Sequence, residues 1–140
     1  MSARYYPHFT LDLPAGWSDE TVATFVGKRV NNFQTNIVIS RVIQGERLGV
    51  ERHAQKQLDL IRGALADYEV HEEASITFSG ERAYRVVHSF DSGDGRKVKQ
   101  LQLYVEKDGH VLSITCSAEM AAFAGQLPDF ESILGGLELS

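Results

Sequence analysis

The sequence predicts an α+β fold: a mainly antiparallel sheet of about six or seven strands, packed with a long helix and a C-terminal helical segment. Two hairpin signals, Ser79-Gly80-Glu81 and Lys107-Asp108-Gly109, join runs of alternating apolar and polar residues, as in antiparallel strands. An apolar stripe with helical spacing runs from about residue 48 to 65. With 43% hydrophobic and 24% charged residues, the 140-residue chain is expected to form one domain over 1–140.

The strands are predicted in two groups, one on each side of the long helix. The first group is 9–13, 22–26 and 36–43, with a loop at 27–35 and another opening at Gly45. The second group is 68–79, 82–90, 98–106 and 110–117. Two short helical pieces, 120–127 and 129–137, are expected around Pro128, because proline interrupts a helix. Trp17 follows a tight turn and is expected to close one end of the sheet.

Composition excludes several classes of function. A net charge of −5 argues against a nucleic-acid partner, because binding to phosphates needs clustered Lys and Arg. No stretch approaches the roughly 20 apolar residues that span a bilayer, so direct membrane insertion is not expected. Cys116 is the only cysteine, which rules out an internal disulfide and suits a reducing compartment. Since the N-terminus lacks a signal-peptide pattern, a cytoplasmic location is predicted.

The sequence carries no recognisable catalytic or metal-binding motif. None of the five histidines has the spacing of a zinc site or a metalloprotease helix. The Gly-x-Gly at Gly93 and Gly95 lies between two strands, so it indicates a turn and not a phosphate loop. We therefore expect no catalytic residues, no metal and no cofactor, and a binding protein in preference to an enzyme.

Two glutamines occupy positions where apolar residues are expected. Gln57 lies in the apolar sector of the long helix, and Gln102 alternates with Leu101 and Leu103 on the strand 98–106. If one helix covers the leucine face, the face with Gln102 is a mixed apolar and amide surface. A glutamine amide both donates and accepts, so it can bond a bound peptide. The alternative is that both glutamines are merely solvated.

Several short motifs in a fixed order resemble a known family. The opening 9–17, with its Leu-Pro and Gly-Trp, is similar to that of PsbP-like and DcrB-like domains. The segments 36–41 and 56–58 and the Gly80 hairpin fit the DcrB-like pattern over some 130 residues. Within that family the chain is most similar to the Eag chaperones of bacterial type VI secretion. These are small cytosolic proteins, generally homodimers, that shield the N-terminal transmembrane helices of effectors before export.

The resemblance implies a client-binding surface in this chain. It places Gln57 on the helix and Gln102 on the strand where Eag chaperones contact the client. The matching apolar positions are Val22, Val38, Ile61, Leu65 and Val98. Thr24 stands where the family has an aliphatic residue, which puts that contact in doubt. The implied partners are an effector's hydrophobic helix and a second copy of the chain.

Two other functions compete with this interpretation. One is a DcrB-like module that binds a small molecule or a protein other than a membrane helix, and the other is an enzyme. If the chaperone hypothesis is right, Gln57 and Gln102 face one groove. Truncating either to Ala is then expected to leave folding nearly intact, because a groove amide contributes little to the core.

Overall fold

The computed structural model describes residues 2–5, 10–43 and 49–139. The elements of these ranges are β1 (Ser2–Tyr5), β2 (Thr10–Leu13), β3 (Ala23–Val30), β4 (Phe33–Ile43), α1 (Val50–Ala64), β5 (Ala66–Phe78), β6 (Glu81–Asp91), β7 (Lys97–Lys107), β8 (His110–Glu119) and α2 (Phe123–Gly135), with a short 3₁₀ turn (Met120–Ala122) before α2. Six strands form one antiparallel sheet in the order β3-β4-β8-β7-β6-β5. The predicted α+β class is confirmed.

The N-terminal strands form a second, two-stranded sheet. β1 pairs antiparallel with β2, with Ser2 opposite Leu13. The sequence predicted a strand over 9–13 within one main sheet and no strand before it. The structure corrects both expectations, because β2 lies outside the main sheet and pairs with the additional strand β1. The predicted loop at Gly45, together with Phe9 and Leu48 at the ends of predicted elements, lies outside the described residues.

The connection between β3 and β4 is much shorter than the predicted loop over 27–35. The two strands pair as far as Val30 and Phe33, and only Asn31 and Asn32 turn the chain. Both asparagines have positive φ, 50° and 62°, which is the conformation of a type I′ hairpin turn. Asn tolerates this conformation better than other side chains do, so the pair fixes the hairpin. The pairing of β3 with β4 shifts in register between Val26 and Arg29. This shift breaks the alternation of apolar and polar residues by which a strand is recognised in a sequence.

The C-terminal segment is one helix that continues through Pro128. The sequence predicted two pieces on either side of this proline, and that prediction is wrong. Proline removes a single N–H, the one that would bond the carbonyl of Ala124. The loss is offset because Phe123, Phe130 and Leu134 are all buried against the sheet.

Among the described residues, one helix packs on each face of the sheet. α2 packs over Leu101, Leu103 and Val105 of β7, the face on which the sequence placed the core. α1 packs over Tyr104, on the opposite face, which the sequence expected to be open surface. Both faces of β7 are therefore buried at its centre.

Trp17 does not close the sheet. It follows the turn after β2, in which Gly16 has a φ of 90°, and its side chain is 72% exposed. The prediction that this aromatic plugs one end of the sheet is therefore wrong. Other apolar residues pack against the core, among them Leu137 and Leu139 after α2.

Candidate functional site

A row of side chains crosses the sheet on the face that α1 packs against. Cross-strand partners point to the same face of a sheet, and the strand register gives an unbroken series of them. The row runs Thr24–Val38–Thr115–Gln102–Val86. Three residues that the sequence analysis singled out, Thr24, Val38 and Gln102, thus lie in one line.

Helix α1 covers the half of this face formed by β5, β6 and β7. Val50, Ala54 and Leu58 of α1 are buried there in one cluster with Val86 and Tyr104. We call the other half, over β8, β4 and β3, the open strip. The described side chains of this strip alternate along the three strands and are half-buried or exposed, apart from Ser117 and from Val111, which is buried in the same cluster as Leu58. The helix flank and the open strip together form a step in the surface.

The contacts of α1 show which of its flanks borders the open strip. Gln55 bonds to Glu73 and Tyr84, so this flank faces β5 and β6. Gln57 is about 200° further around the helix, on the opposite flank. His53 lies one turn before Gln57, and its ring is 5.7 Å from that of Tyr104 on β7. Gln57 therefore lies on the side of the open strip.

Gln57 and Gln102 also lie at about the same height along the sheet. One helical turn from His53 to Gln57 rises about 6 Å, and two strand residues from Tyr104 to Gln102 span about 6.6 Å. Glu51 at the start of α1 pairs with Arg82 at the start of β6, so α1 runs in the same direction as β6. Because β7 is antiparallel to β6, the step from Tyr104 back to Gln102 also runs in this direction. The fold thus brings both glutamines to one side of one face.

Gln102 is more deeply buried than a groove amide was expected to be. It is 7% exposed, and its Oε1 accepts a hydrogen bond of 2.6 Å from the hydroxyl of Tyr104. Burial raises the pKa of Tyr104 far above its usual range, so this hydroxyl stays protonated and donates. The amide N–H group of Gln102 can therefore donate to a partner, while Oε1 keeps one lone pair beside the bond from Tyr104.

Truncation of Gln102 to Ala should lower the free energy of unfolding by about 1–3 kcal/mol, because the buried Tyr104 hydroxyl loses its acceptor. This expectation replaces the one drawn from sequence, that folding would be nearly unaffected. Urea denaturation measures the change. In a Tyr104→Phe background the same truncation should cost clearly less, since no donor is left unpaired. An equal cost in both backgrounds would show that the hydrogen bond contributes nothing.

A chain of hydrogen bonds runs from Tyr68, near the start of β5, into the open strip. The Tyr68 hydroxyl lies 2.7 Å from His88 Nδ1, and His88 Nε2 lies 2.8 Å from Gln100 Oε1. Gln100 Nε2 in turn donates to Ser117 Oγ at 2.9 Å. Because Gln100 presents its acceptor to His88, the proton of the neutral imidazole is on Nε2 and Nδ1 accepts from Tyr68. Burial lowers the pKa of His88, which keeps it neutral.

The remaining predicted contact residues differ in exposure. Val22 lies directly before β3 and is exposed, while Ile61 on α1 and Leu65, the residue directly after this helix, are half-buried. Val98 is on the same face of β7 as Gln102 but is only 3% exposed. In this conformation Val98 has almost no surface to offer a partner.

Sequence reasoning missed several residues that line the step. Ser113 and Ser117 flank Thr115 on β8, so the floor of the open strip is hydroxyl-rich. The sequence predicts this segment as a strand, and its period-two alternation of Ser, Thr and Ser, visible in the sequence, places the hydroxyls on one face. Leu60, three residues after Gln57 and so on the same flank of α1, and Val26, opposite Asn36 on β3, are each 68% exposed and lie on the two sides of this floor. The sequence could not predict their exposure, because it depends on how much of the sheet α1 covers.

Within the described ranges, no group of three or more His, Cys, Asp or Glu side chains is placed to hold a metal ion. In the same part of the chain, no helix is both long and apolar enough to cross a membrane. Burial raises the pKa of the Cys116 thiol to about 12, so this residue is a packed side chain of the core and not a thiolate.

The fold is shared with several solved structures. A protein of unknown function from Pseudomonas aeruginosa, PA94, described as a candidate regulator, superposes with a TM-score of 0.88 at 19% identity, covering 100% of this chain and 97% of that one. The PsbP protein of the cyanobacterium Synechocystis sp. PCC 6803 gives 0.60 at 9% identity, covering 93% and 99%. LpqN of Mycobacterium tuberculosis, described as involved in cell envelope biogenesis, gives 0.51 at 12% identity, covering 81% and 80%. These likenesses define a PsbP-like α+β domain.

The family model for DcrB matches residues 9–135. The chain therefore belongs to the DcrB family. No curated protein matches it in sequence.

Proposed function

We propose that this DcrB-family protein is a cytoplasmic chaperone that binds and shields an N-terminal transmembrane helix of a type VI secretion effector before export. The observation that carries the proposal is the open strip, a hydroxyl-rich floor with exposed apolar side chains on both sides. Leu60 projects from α1 on one side and Val26 from β3 on the other. Between them lie Val38, Thr115 and the edge of Gln102.

This surface suits a membrane helix in water. Such a helix exposes apolar area at a cost of about 25 cal/mol per Å², which contact with Leu60 and Val26 would reduce. Transmembrane helices often carry Gly, Ala and Ser on one face, where their backbone and hydroxyl groups are accessible. The Gln102 amide and the hydroxyls of Ser113 and Thr115 can bond that face.

We propose that the chaperone acts as a homodimer, as the resemblance to Eag chaperones implies. Support comes from β3, which is an edge strand of the main sheet. No other strand among the described residues pairs with its outer edge, and Phe25 on this strand is 53% exposed. An apolar edge of this kind favours pairing with another chain.

The direct test is co-expression with the N-terminal apolar segment of an effector encoded beside this chain, fused to a soluble carrier. Co-purification of a stoichiometric complex is expected. A carrier that remains insoluble, or that is soluble but never bound, would refute the chaperone function. Binding of a folded domain in place of the apolar segment would favour a protein-binding module of another kind.

Gln57→Ala should weaken binding of this segment by about 1–3 kcal/mol, the cost of leaving a buried polar partner unsatisfied, which is roughly five- to 150-fold. Folding should be little changed, because none of the described hydrogen bonds involves Gln57. Titration of the purified chaperone with the carrier measures the loss. Gln55→Ala is the matched control, since Gln55 lies on the opposite flank of α1 and bonds within the chain. Equal losses for the two variants would contradict the placement of the client on the open strip.

A further inference from the structure

Glu119 lies at the end of β8 with a carboxylate oxygen that has no partner. Its Oε2 is shielded from solvent, yet no donor reaches it within the described part of the chain. Buried carboxylate oxygens are almost always bonded, so an unpartnered one needs an explanation. The residue as a whole is only partly buried, so part of its side chain is at the surface, where a rotation of the carboxylate would bring Oε2 within reach of a donor.

The strand register places Glu119 at one end of the open strip. Odd-numbered residues of β8, such as Thr115 and Ser117, face this side, and Glu119 continues the same alternation. Its neighbour on β7 is Val98, which is buried. The Glu119 carboxylate therefore lies at one end of the hydroxyl-rich floor, on the part of the sheet that α1 does not cover.

The basic side chains next to Glu119 are engaged elsewhere. Lys99 points to the opposite face, with its Nζ 5.1 Å from the centre of the Phe123 ring. Arg96 pairs with Asp94 and donates to the carbonyl of Asn32. None of the ion pairs between described residues includes Glu119.

We infer that Glu119 binds a Lys or Arg side chain that borders the apolar helix of the client, and so fixes which end of the helix lies at the end of β8. This inference rests on the proposed function. Transmembrane helices are commonly bordered by Lys and Arg on one side, and a cation supplies the donor that Oε2 lacks. A net charge of −5 on the chain adds a favourable long-range attraction.

Three carriers test the inference, each bearing an apolar Leu-Ala-Gly segment of about 20 residues. The first carrier has a pair of Lys residues before the segment, and the second has such a pair after the segment. The third carrier has a pair of Gln residues at each of these two places and no Lys pair. One of the two Lys carriers should bind wild-type protein about tenfold more tightly than the Gln carrier, the usual size of a charge-assisted bond at a partly exposed site. The preference should shrink as salt is raised.

Glu119→Gln should abolish this preference without changing the binding of the Gln carrier. Glu106→Gln is the control, because Glu106 lies on the same face of β7 at the opposite end, opposite Val111. Equal binding of all three carriers to wild-type protein, or a preference that survives Glu119→Gln, would overturn the inference alone. If no carrier binds at all, the proposed function fails and the inference falls with it.

Discussion

Truncation of Leu58 to Ala is expected to lower the free energy of unfolding by about 2–5 kcal/mol. Leu58 is 1% exposed and packs in the cluster that joins α1 to the sheet, against Val86 and Tyr104. The cavity left by the truncation cannot collapse easily, because both faces of β7 are packed at this point. Urea denaturation followed by circular dichroism gives the change directly.

Leu60→Ala is the matched control for Leu58→Ala. It removes the same atoms from the same helix, but the side chain is exposed, so stability should change by less than about 0.5 kcal/mol. Similar losses for the two variants would mean that α1 does not pack on the sheet as described. Because Leu60 borders the open strip, its truncation should weaken client binding while leaving folding intact.

The sequence was sufficient for those parts of the fold that local residues determine. Asp108 and Gly109 take φ values of 52° and 78°, the type I′ geometry expected from an Asp-Gly pair. Ser79 and Gly80 turn β5 into β6 in the same way. Helix α1 follows from its apolar stripe, which burial in the core cluster confirms.

The errors in the fold arose where tertiary packing overrode a local rule. Asn31 and Asn32 turn the chain in two residues, so the polar segment 27–35 forms strand where composition suggested loop. Pro128 is accommodated because Phe123 and Phe130 on either side of it are buried. Neither a strand's pairing partner nor the burial of a helix flank is encoded in a short window of sequence.

The candidate site was predictable only in part, for a geometric reason. Strand alternation alone places Gln102 on the face opposite Leu101 and Leu103. It cannot say which helix covers which face, and so it missed that α1 lies on the Gln102 side and that Tyr104 occupies the Gln102 oxygen. The row from Thr24 to Gln102 depends on the register of four strands, which only the structure supplies.

Val38→Glu should abolish the proposed client binding while leaving the protein folded. Val38 lies in the middle of the open strip, between Thr24 and Thr115, and is half-buried. In the free protein a glutamate here can extend its carboxylate into water, so the melting temperature should change little. Under a bound apolar helix the carboxylate would be buried without a partner, which costs about 3–5 kcal/mol and lowers affinity roughly 150- to 4000-fold.

Ile133→Glu is the matched control for Val38→Glu. Ile133 is 51% exposed on α2, on the other side of the sheet, so the same change in charge and polarity occurs away from the open strip. Binding of the effector segment to this variant should equal that of wild-type protein in the same titration. Client binding that tolerates Val38→Glu but is lost in Ile133→Glu would move the binding surface to the α2 face and exclude the open strip.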